Sequence, residues 1–337
     1  MKELLEKCLA GEHLTSSEAS SALEMMMDGN ASDALIAGLL IALRVKGETI
    51  DEVTGFARTM RERSVHISVN DPDAIDMCGT GGDGAGTFNV STIASLVAAG
   101  AGVTIAKHGN KAVSSTCGSA DILSALGVRI DLSPSQVEEC VNTIGYGFML
   151  APLFHPAMKH VAKLRRELGV RTVFNMLGPI TNPAGVRKQV IGTFSSSAAR
   201  TLAGTLNALE AQHSFVVHGR AGIDEVTLTG ETEVHEVKAN FPISIREVDA
   251  SAFALPEYPL SSLRGDGVEG NLRIAIDVLD GKEGAARDVV IANAALGIQV
   301  SGKGRNLTEA VSMARESLDS GSAREVLNQL ISFSNAR

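Results

Sequence analysis

Carboxylates, lysines, a histidine and a dense cluster of glycines are the residues of this 337-residue chain whose types and spacing could do chemistry. Five glycines, Gly79, Gly81, Gly82, Gly84 and Gly86, fall within eight positions of the run DMCGTGGDGAGTFNVST, from Asp76 to Thr92. Glycine at this density lets backbone N–H groups turn inward on a ligand, because no Cβ blocks positive φ or close approach. The run follows the apolar AIDMC and precedes Asn89, Ser91 and the helix-like TIASLVAAGA. Strand, loop and helix in that order make an anion site.

The loop formally matches G-x-G-x-x-G, but a dinucleotide site also needs an acidic residue about twenty positions on for the ribose hydroxyls. Between Asp83 and Asp121 there is no Asp or Glu. The same stretch instead carries Lys107, His108 and Lys111 with the hydroxyls of Ser91, Thr92, Ser114, Ser115, Thr116 and Ser119. Two glycine- and hydroxyl-rich loops of this kind suit a ligand with several phosphates. A P-loop is excluded by spacing, since Gly281–Lys282 and Gly302–Lys303 are followed by Glu and Gly rather than Ser or Thr.

Asp224 and Glu225 stand side by side in VVHGRAGIDEVTLTG, in the loop after a strand. Mg2+ is held by one or two carboxylates with substrate phosphates and water, and a solvent-facing turn is the other reading of such a pair. Arg165 shares a helical face with Met158 and Ala162 and reads either as a bidentate clamp for a carboxylate or as a side chain snorkelling at a helix C-terminus. His108 stays open as a general base. Cys78 has no visible activating partner and reads as a structural thiol at a strand end.

These residues need elements to hold them. Residues 1 to about 66 read as helices, with capping boxes at Thr15–Glu18 and Thr49–Glu52 and an intervening helix that starts after Ser32 and stops at Gly47. That middle helix is apolar almost all round, so homodimerisation through this region is expected. From Asp73 onward AIDMC, VTIAKH, VRIDL, YGFMLA, QVIGTF, SFVVHG and EVTLTG read as strands, and 92–101, 119–126, 134–143, 197–210 and 284–296 as helices. The fold class is α/β: a small N-terminal helical domain plus a larger α/β domain whose central sheet is mainly parallel and flanked by helices. An insert from His155 to about Gly185 reads as a helix through AMKHVAKLRREL, ended by Gly169, and then an irregular loop NMLGPITNP. Part of it is expected to pack back on the N-terminal helices. The expected domains are 1–70 plus about 166–188, helical, and 71–165 plus 189–337, α/β.

Composition narrows the class. The chain is 44% hydrophobic, enough for a large core, and its net charge of −9 argues against nucleic acid as a partner. Cys8, Cys78, Cys117 and Cys140 form no C-x-x-C pair, as expected of reduced thiols. The N-terminus lacks a signal-peptide pattern, and ALIAGLLIAL is too short to span a bilayer. A cytoplasmic protein with no membrane partner is expected.

CGTGGDGAGTFNVST, KHGNKAVSSTCGSAD, HPAMKHVAKLRRELGVRTVFNMLGPITNP and VVHGRAGIDE, in that order, resemble anthranilate phosphoribosyltransferase, which shares the pyrimidine nucleoside phosphorylase fold. The resemblance implies a homodimer that transfers the 5-phosphoribosyl group of phosphoribosyl pyrophosphate (PRPP) to the amine of anthranilate in tryptophan biosynthesis. It implies PRPP contacts at Gly79, Gly82, Asp83, Thr87, Asn89, Val90, Ser91, Thr92, Lys107, His108, Gly109, Asn110, Lys111, Ala112, Val113, Ser114, Ser115 and Ser119. It implies anthranilate contacts at Gly79, His108, Asn110, Arg165 and Gly178, and Mg2+, expected as two ions per chain, at Ser91, Asp224 and Glu225. Lys111 departs from the family pattern, which has arginine there; charge is kept and the planar fork is lost.

Two other functions share the scaffold. A pyrimidine nucleoside phosphorylase needs one phosphate site and a base pocket, and does not explain the full GTGGDG loop with the Asp224–Glu225 pair. A non-catalytic nucleic-acid-binding relative is opposed by the net charge and that same pair.

Overall fold

The computed structural model of the chain describes residues 1–112 and 117–336. The readings on Val113, Ser114, Ser115 and Thr116 lie outside the described residues. Four helices come first: α1 (Lys2–Leu9), α2 (Ser16–Met27), α3 (Asp33–Lys46) and α4 (Ile50–Glu62). Both capping boxes form. Thr15 Oγ1 accepts the Glu18 N–H at 3.2 Å while Glu18 accepts the Thr15 N–H at 2.8 Å, and Thr49 with Glu52 repeats the exchange. Each such cap stabilises its helix by about 1 kcal/mol. Glu52 also accepts the Leu14 N–H at 2.8 Å and pairs with Lys46 at 2.9 Å, so one buried carboxylate ties α4 to α3 and to the turn before α2.

Seven strands form one sheet in the order β3-β2-β1-β4-β5-β6-β7. They are β1 (Ile75–Gly79), β2 (Ile105–Gly109), β3 (Tyr146–Leu150), β4 (Lys188–Gly192), β5 (His213–Gly219), β6 (Thr232–Lys238) and β7 (Ser244–Val248). β1 to β5 pair in parallel, and β6 and β7 add antiparallel at one edge. The chain walks outward from β1 to β3, then returns to lay β4 on the other side of β1. That reversal opens a crevice beyond the carboxyl ends of β1 and β4, where sheets of this kind bind ligands.

Helices cover both faces. α5 (Val90–Gly100) follows β1, α6 (Ser119–Ala125) and α7 (Pro134–Ile144) link β2 to β3, and α8 (Ala151–Phe154), α9 (Lys159–Leu168) and α10 (Phe174–Ile180) link β3 to β4. α11 (Ser196–Ala208) leads to β5, and α12 (Gly267–Leu279), α13 (Ala285–Ser301), α14 (Leu307–Asp319) and α15 (Ser322–Asn335) complete the chain. Ile75, Met77, Val97, Leu279, Leu296 and Leu327 share one core on one side of the sheet. On the other side Ile191, Val216 and Leu202 join Leu39, Phe56, Val161 and Leu177 in a second, so α9 and α10 pack with the N-terminal helices.

Three expectations change. VRIDL and EVTLTG are not strands, because side chains take the backbone donors that a ladder would need. Arg129 N–H goes to Ser334 Oγ at 3.1 Å, Val226 N–H to Asn293 Oδ1 at 3.0 Å and Thr227 N–H to Thr232 Oγ1 at 3.0 Å. β6 and β7 are strands outside the expected set, as α12, α14 and α15 are helices outside it. The NMLGPITNP segment is not wholly irregular: α10 runs through Gly178 and Pro179, held by burial of Phe174, Met176, Leu177 and Ile180.

Candidate active site

Gly79 and Gly192 are register partners at the carboxyl ends of β1 and β4. A Cβ on Gly79 would lie 2.5 Å from Asp224 Oδ2, and one on Gly192 would lie 1.5 Å from the Asp224 carbonyl oxygen. Two strand-end glycines therefore make the room that Asp224 fills. The residue arrives there on the loop after β5, and its side chain accepts the Gly81 N–H at 2.7 Å. Glu225, next along, accepts the Ser91 N–H at the start of α5 at 3.0 Å. Carboxylates separated from the glycine loop by more than 130 residues thus converge on it.

Gly81, Gly82, Gly84 and Gly86 all adopt positive φ, between 65° and 77°. Asp83 folds back on its own loop, accepting the Ala85 N–H at 3.1 Å and the Asp224 N–H at 3.3 Å. Among the described residues the N–H groups of Gly82, Asp83 and Gly84 have no protein acceptor. The far side of the loop is strapped by residues 263–271: Phe88 N–H donates to Leu263 O, Gly265 N–H to Gly86 O, and Asn89 N–H to Asn271 Oδ1, all at 2.8–2.9 Å. Among the described residues Asn89 Oδ1 and Thr92 Oγ1 are buried there without a hydrogen-bond partner.

The second loop begins at β2. Lys107 is buried, and its ammonium donates to the Met77 carbonyl. His108 N–H donates to Asp76 Oδ1 at 3.2 Å, and Asn182 Nδ2 donates to Asp76 Oδ2 at 2.8 Å. Burial pushes the Asp76 carboxyl up to about 6, against the pull of Lys107 and these donors. His108 Nδ1 faces the Gly178 carbonyl at 3.1 Å, so it carries the proton and leaves Nε2 as a buried acceptor without a partner. Burial, with the His155 ring tilted against it 5.1 Å away, lowers His108 to about 3, so the ring is neutral. Beyond it, Asp121 accepts the Ala112 and Gly118 N–H groups at 2.8 and 2.9 Å. Ser119 Oγ donates to the Asn110 carbonyl at 3.3 Å.

Profiles of the glycosyl transferase family match twice: its helical bundle domain over residues 2–64 and its a/b domain over residues 71–324. Anthranilate phosphoribosyltransferase of Pelotomaculum thermopropionicum is 50% identical over 333 residues, covering 99% of this chain and 96% of the relative. The anthranilate phosphoribosyltransferase structure from Thermus thermophilus is 43% identical with a TM-score of 0.92, covering 98% of this chain and 99% of its own. The enzyme of Saccharomyces cerevisiae in complex with PRPP and Mg is 32% identical with a TM-score of 0.90, covering 100% of this chain and 98% of its own.

The chain belongs to the anthranilate phosphoribosyltransferase family.

In this member the donors expected of a Mg2+ site are hard oxygens. Burial, reinforced by the Asp83 charge, pushes Asp224 up to about 7, and burial with the Asp224 charge pushes Glu225 to about 8. Neither carboxylate has a lysine or arginine hydrogen-bonded to it among the described residues. Among the described residues no three His, Cys, Asp or Glu side chains make a ready cage for a metal. Two uncompensated carboxylates open to further oxygen ligands fit an ion that shares its coordination with substrate phosphates.

Other sequence readings fare differently. Arg165 lies with Met158, Val161 and Leu164 rather than with Ala162, which is exposed, and its guanidinium stacks on Phe174 with Cζ 4.9 Å from the ring centre. Gly178 reaches the site through its carbonyl on His108 and not through its missing Cβ, around which a 4 Å shell is empty. Cys78 donates weakly to the Pro179 carbonyl and burial raises its thiol far above the ordinary range, as suits a structural thiol. Asp76, Asn182 and the 263–271 strap lay outside the expected set. Asp76 had a visible signal, a carboxylate inside an apolar strand run; Asn271 had none.

Proposed function

We propose that this chain transfers the 5-phosphoribosyl group of PRPP to the amine of anthranilate, giving N-(5-phosphoribosyl)anthranilate and pyrophosphate, in tryptophan biosynthesis. The observation that carries this reading is the set of N–H groups at Gly82, Asp83 and Gly84, without an acceptor among the described residues, beside the paired carboxylates of Asp224 and Glu225. Such an arrangement accepts a pyrophosphate together with its cation.

Gly79, Gly82, Asp83, Thr87, Asn89, Ser91, Thr92, Lys107 and Ser119 are assigned to PRPP, with the backbone of residues 109–112 closing over it. As C1–O cleavage leaves negative charge on pyrophosphate, preorganised N–H donors of the glycine loop stabilise the leaving group without reorganising. Asp224, Glu225 and Ser91 are assigned to Mg2+, two ions per chain, which supplies further charge neutralisation on the departing pyrophosphate when bound. Anthranilate brings its own nucleophile, so no protein nucleophile is needed. His108 Nε2, as a neutral acceptor, orients the amine, Arg165 pairs with the carboxylate, and Asn110, Gly79 and Gly178 line the path. Holding the amine near C1 removes much of the entropic barrier.

The helical unit, residues 1–70 with about 166–188, closes on the α/β unit, and α9 travels with it through the Val161 and Leu164 contacts. Leu9 and Val45, 70% and 83% exposed, support a second copy of the chain docking on the helical unit. A cytoplasmic setting belongs to the same reading; among the described residues no helix is long and apolar enough to cross a membrane. The test is loss of anthranilate fluorescence on adding PRPP and Mg2+ to folded protein. No change would sink the assignment. Calorimetric Mg2+ stoichiometry in the presence of PRPP tests the count of two.

A further inference from the structure

Arg171 lies in the short segment between α9 and α10, outside the set assigned above, and its Nη2 donates to the carbonyl oxygen of Gly82. Its guanidinium is steadied from the other side by Phe194, with Cζ 4.5 Å from the ring centre. Phe194 is itself tied to the loop, its N–H donating to Thr80 Oγ1 at 3.2 Å. A cation from the α9–α10 segment, whose helices pack with the N-terminal ones, therefore grips the backbone of the glycine loop at one peptide.

That peptide matters because of what is on its other edge. In a trans peptide the C=O and the following N–H point in opposite directions, and among the described residues no peptide bond is cis. Holding the Gly82 carbonyl outward, toward Arg171, turns the Asp83 N–H the other way, where it has no acceptor among the described residues. Gly82 itself sits at φ 71° and, having no Cβ, resists rotation of the following peptide very little on its own side, which leaves only Asp83 to oppose it. Without an external hold, the plane could flip and present a carbonyl oxygen to the anion.

We infer that Arg171 is a positioning residue for PRPP: it locks the Gly82–Asp83 peptide so that the Asp83 N–H faces the pyrophosphate, and it ties that orientation to the α9–α10 segment of the helical unit. This rests on the reading of the glycine loop as the pyrophosphate site. The guanidinium also polarises the Gly82–Asp83 peptide, so the same contact makes the Asp83 N–H a stronger donor.

Three variants test it: Arg171→Met, which keeps the stem on Phe194 and removes the donor; Arg171→Gln, which keeps a neutral donor; and Arg171→Lys, which keeps a charged one. Arg171→Met is expected to raise the PRPP KM by roughly tenfold or more, the scale of one lost charge-assisted hydrogen bond, with the anthranilate KM unchanged within about twofold. Arg171→Lys should recover most of that loss and Arg171→Gln less. Calorimetric titration with inorganic pyrophosphate and Mg2+ should rank the proteins in the same order. If the wild type binds pyrophosphate and every folded variant binds it equally well, the role of Arg171 is wrong while the loop assignment stands. If the wild type itself does not bind pyrophosphate, the loop assignment fails and this inference with it.

Discussion

Asp224 Oδ2 accepts the Gly81 N–H at 2.7 Å, so a carboxylate assigned to the cation already occupies one donor of the anion cradle. Cation and pyrophosphate therefore have to rearrange the same contact. A carboxylate released from Gly81 is free to bind metal, and the N–H it leaves behind is free to bind phosphate. This predicts that Mg2+ and pyrophosphate bind cooperatively: the pyrophosphate affinity measured by calorimetry should rise on adding Mg2+ by more in wild type than in Asp224→Asn.

Asp224→Asn combined with Glu225→Gln should lose metal-dependent turnover, with a fall on the order of 10²-fold or more, as for removal of a major electrostatic stabiliser. Fluorescence assays over a Mg2+ titration check it, and an unchanged Mg2+ response would remove both residues from the metal site.

Proton binding gives a separate test. Asp224 and Glu225 stand at about 7 and about 8, above their unfolded values, because burial disfavours their charged forms. The native state then holds protons that the unfolded chain has released, so metal-free stability should fall as pH rises from about 4 toward 8. Saturating Mg2+ should reduce that slope, and the double variant should lack it. Thermal unfolding across this pH range, with and without Mg2+, reads the outcome; identical slopes in wild type and variant would contradict it.

Gly192→Ala should damage the site more than Gly81→Ala. At Gly192 a Cβ would fall 1.5 Å from the Asp224 carbonyl oxygen, so backbone must move, whereas at Gly81 the surrounding space is open and only the positive φ is strained. Overpacking of the first kind costs about 1–3 kcal/mol or more, against about 1 kcal/mol for a non-glycine residue in the left-handed region. Urea unfolding with parallel kinetics would compare them.

Arg165→Ala should raise the KM for anthranilate roughly tenfold, as for one hydrogen bond to a charged group, while changing the PRPP KM much less. Steady-state kinetics varying each substrate in turn would show it. Equal effects on both would instead assign Arg165 to the packing of α9 against Phe174.

The features legible in the sequence were those whose signal is local. The capping boxes at Thr15 and Thr49, the strand before Gly79 and the αL glycine ending α9 all follow from residues within a few positions of one another. β6 was not legible because its two valines, Val234 and Val237, are three apart and break a period of two, while its other members are polar. β7 is exposed along almost its whole length and has no apolar face to betray it. In the candidate site, glycine density marked the loop on which Asp224 and Glu225 converge. Arg171 and Asn271 did not stand out, because an arginine or asparagine becomes informative only when folding sets it against one particular backbone group.

The strap across the glycine loop bears on the order in which the enzyme is made. Asn89 waits for Asn271, and Ser91 waits for Glu225. A nascent chain that has exposed only its first half has written the anion-binding run in full but has neither the strap nor the carboxylates that hold it. Competence arrives late, after the segment around residue 271 has emerged and docked.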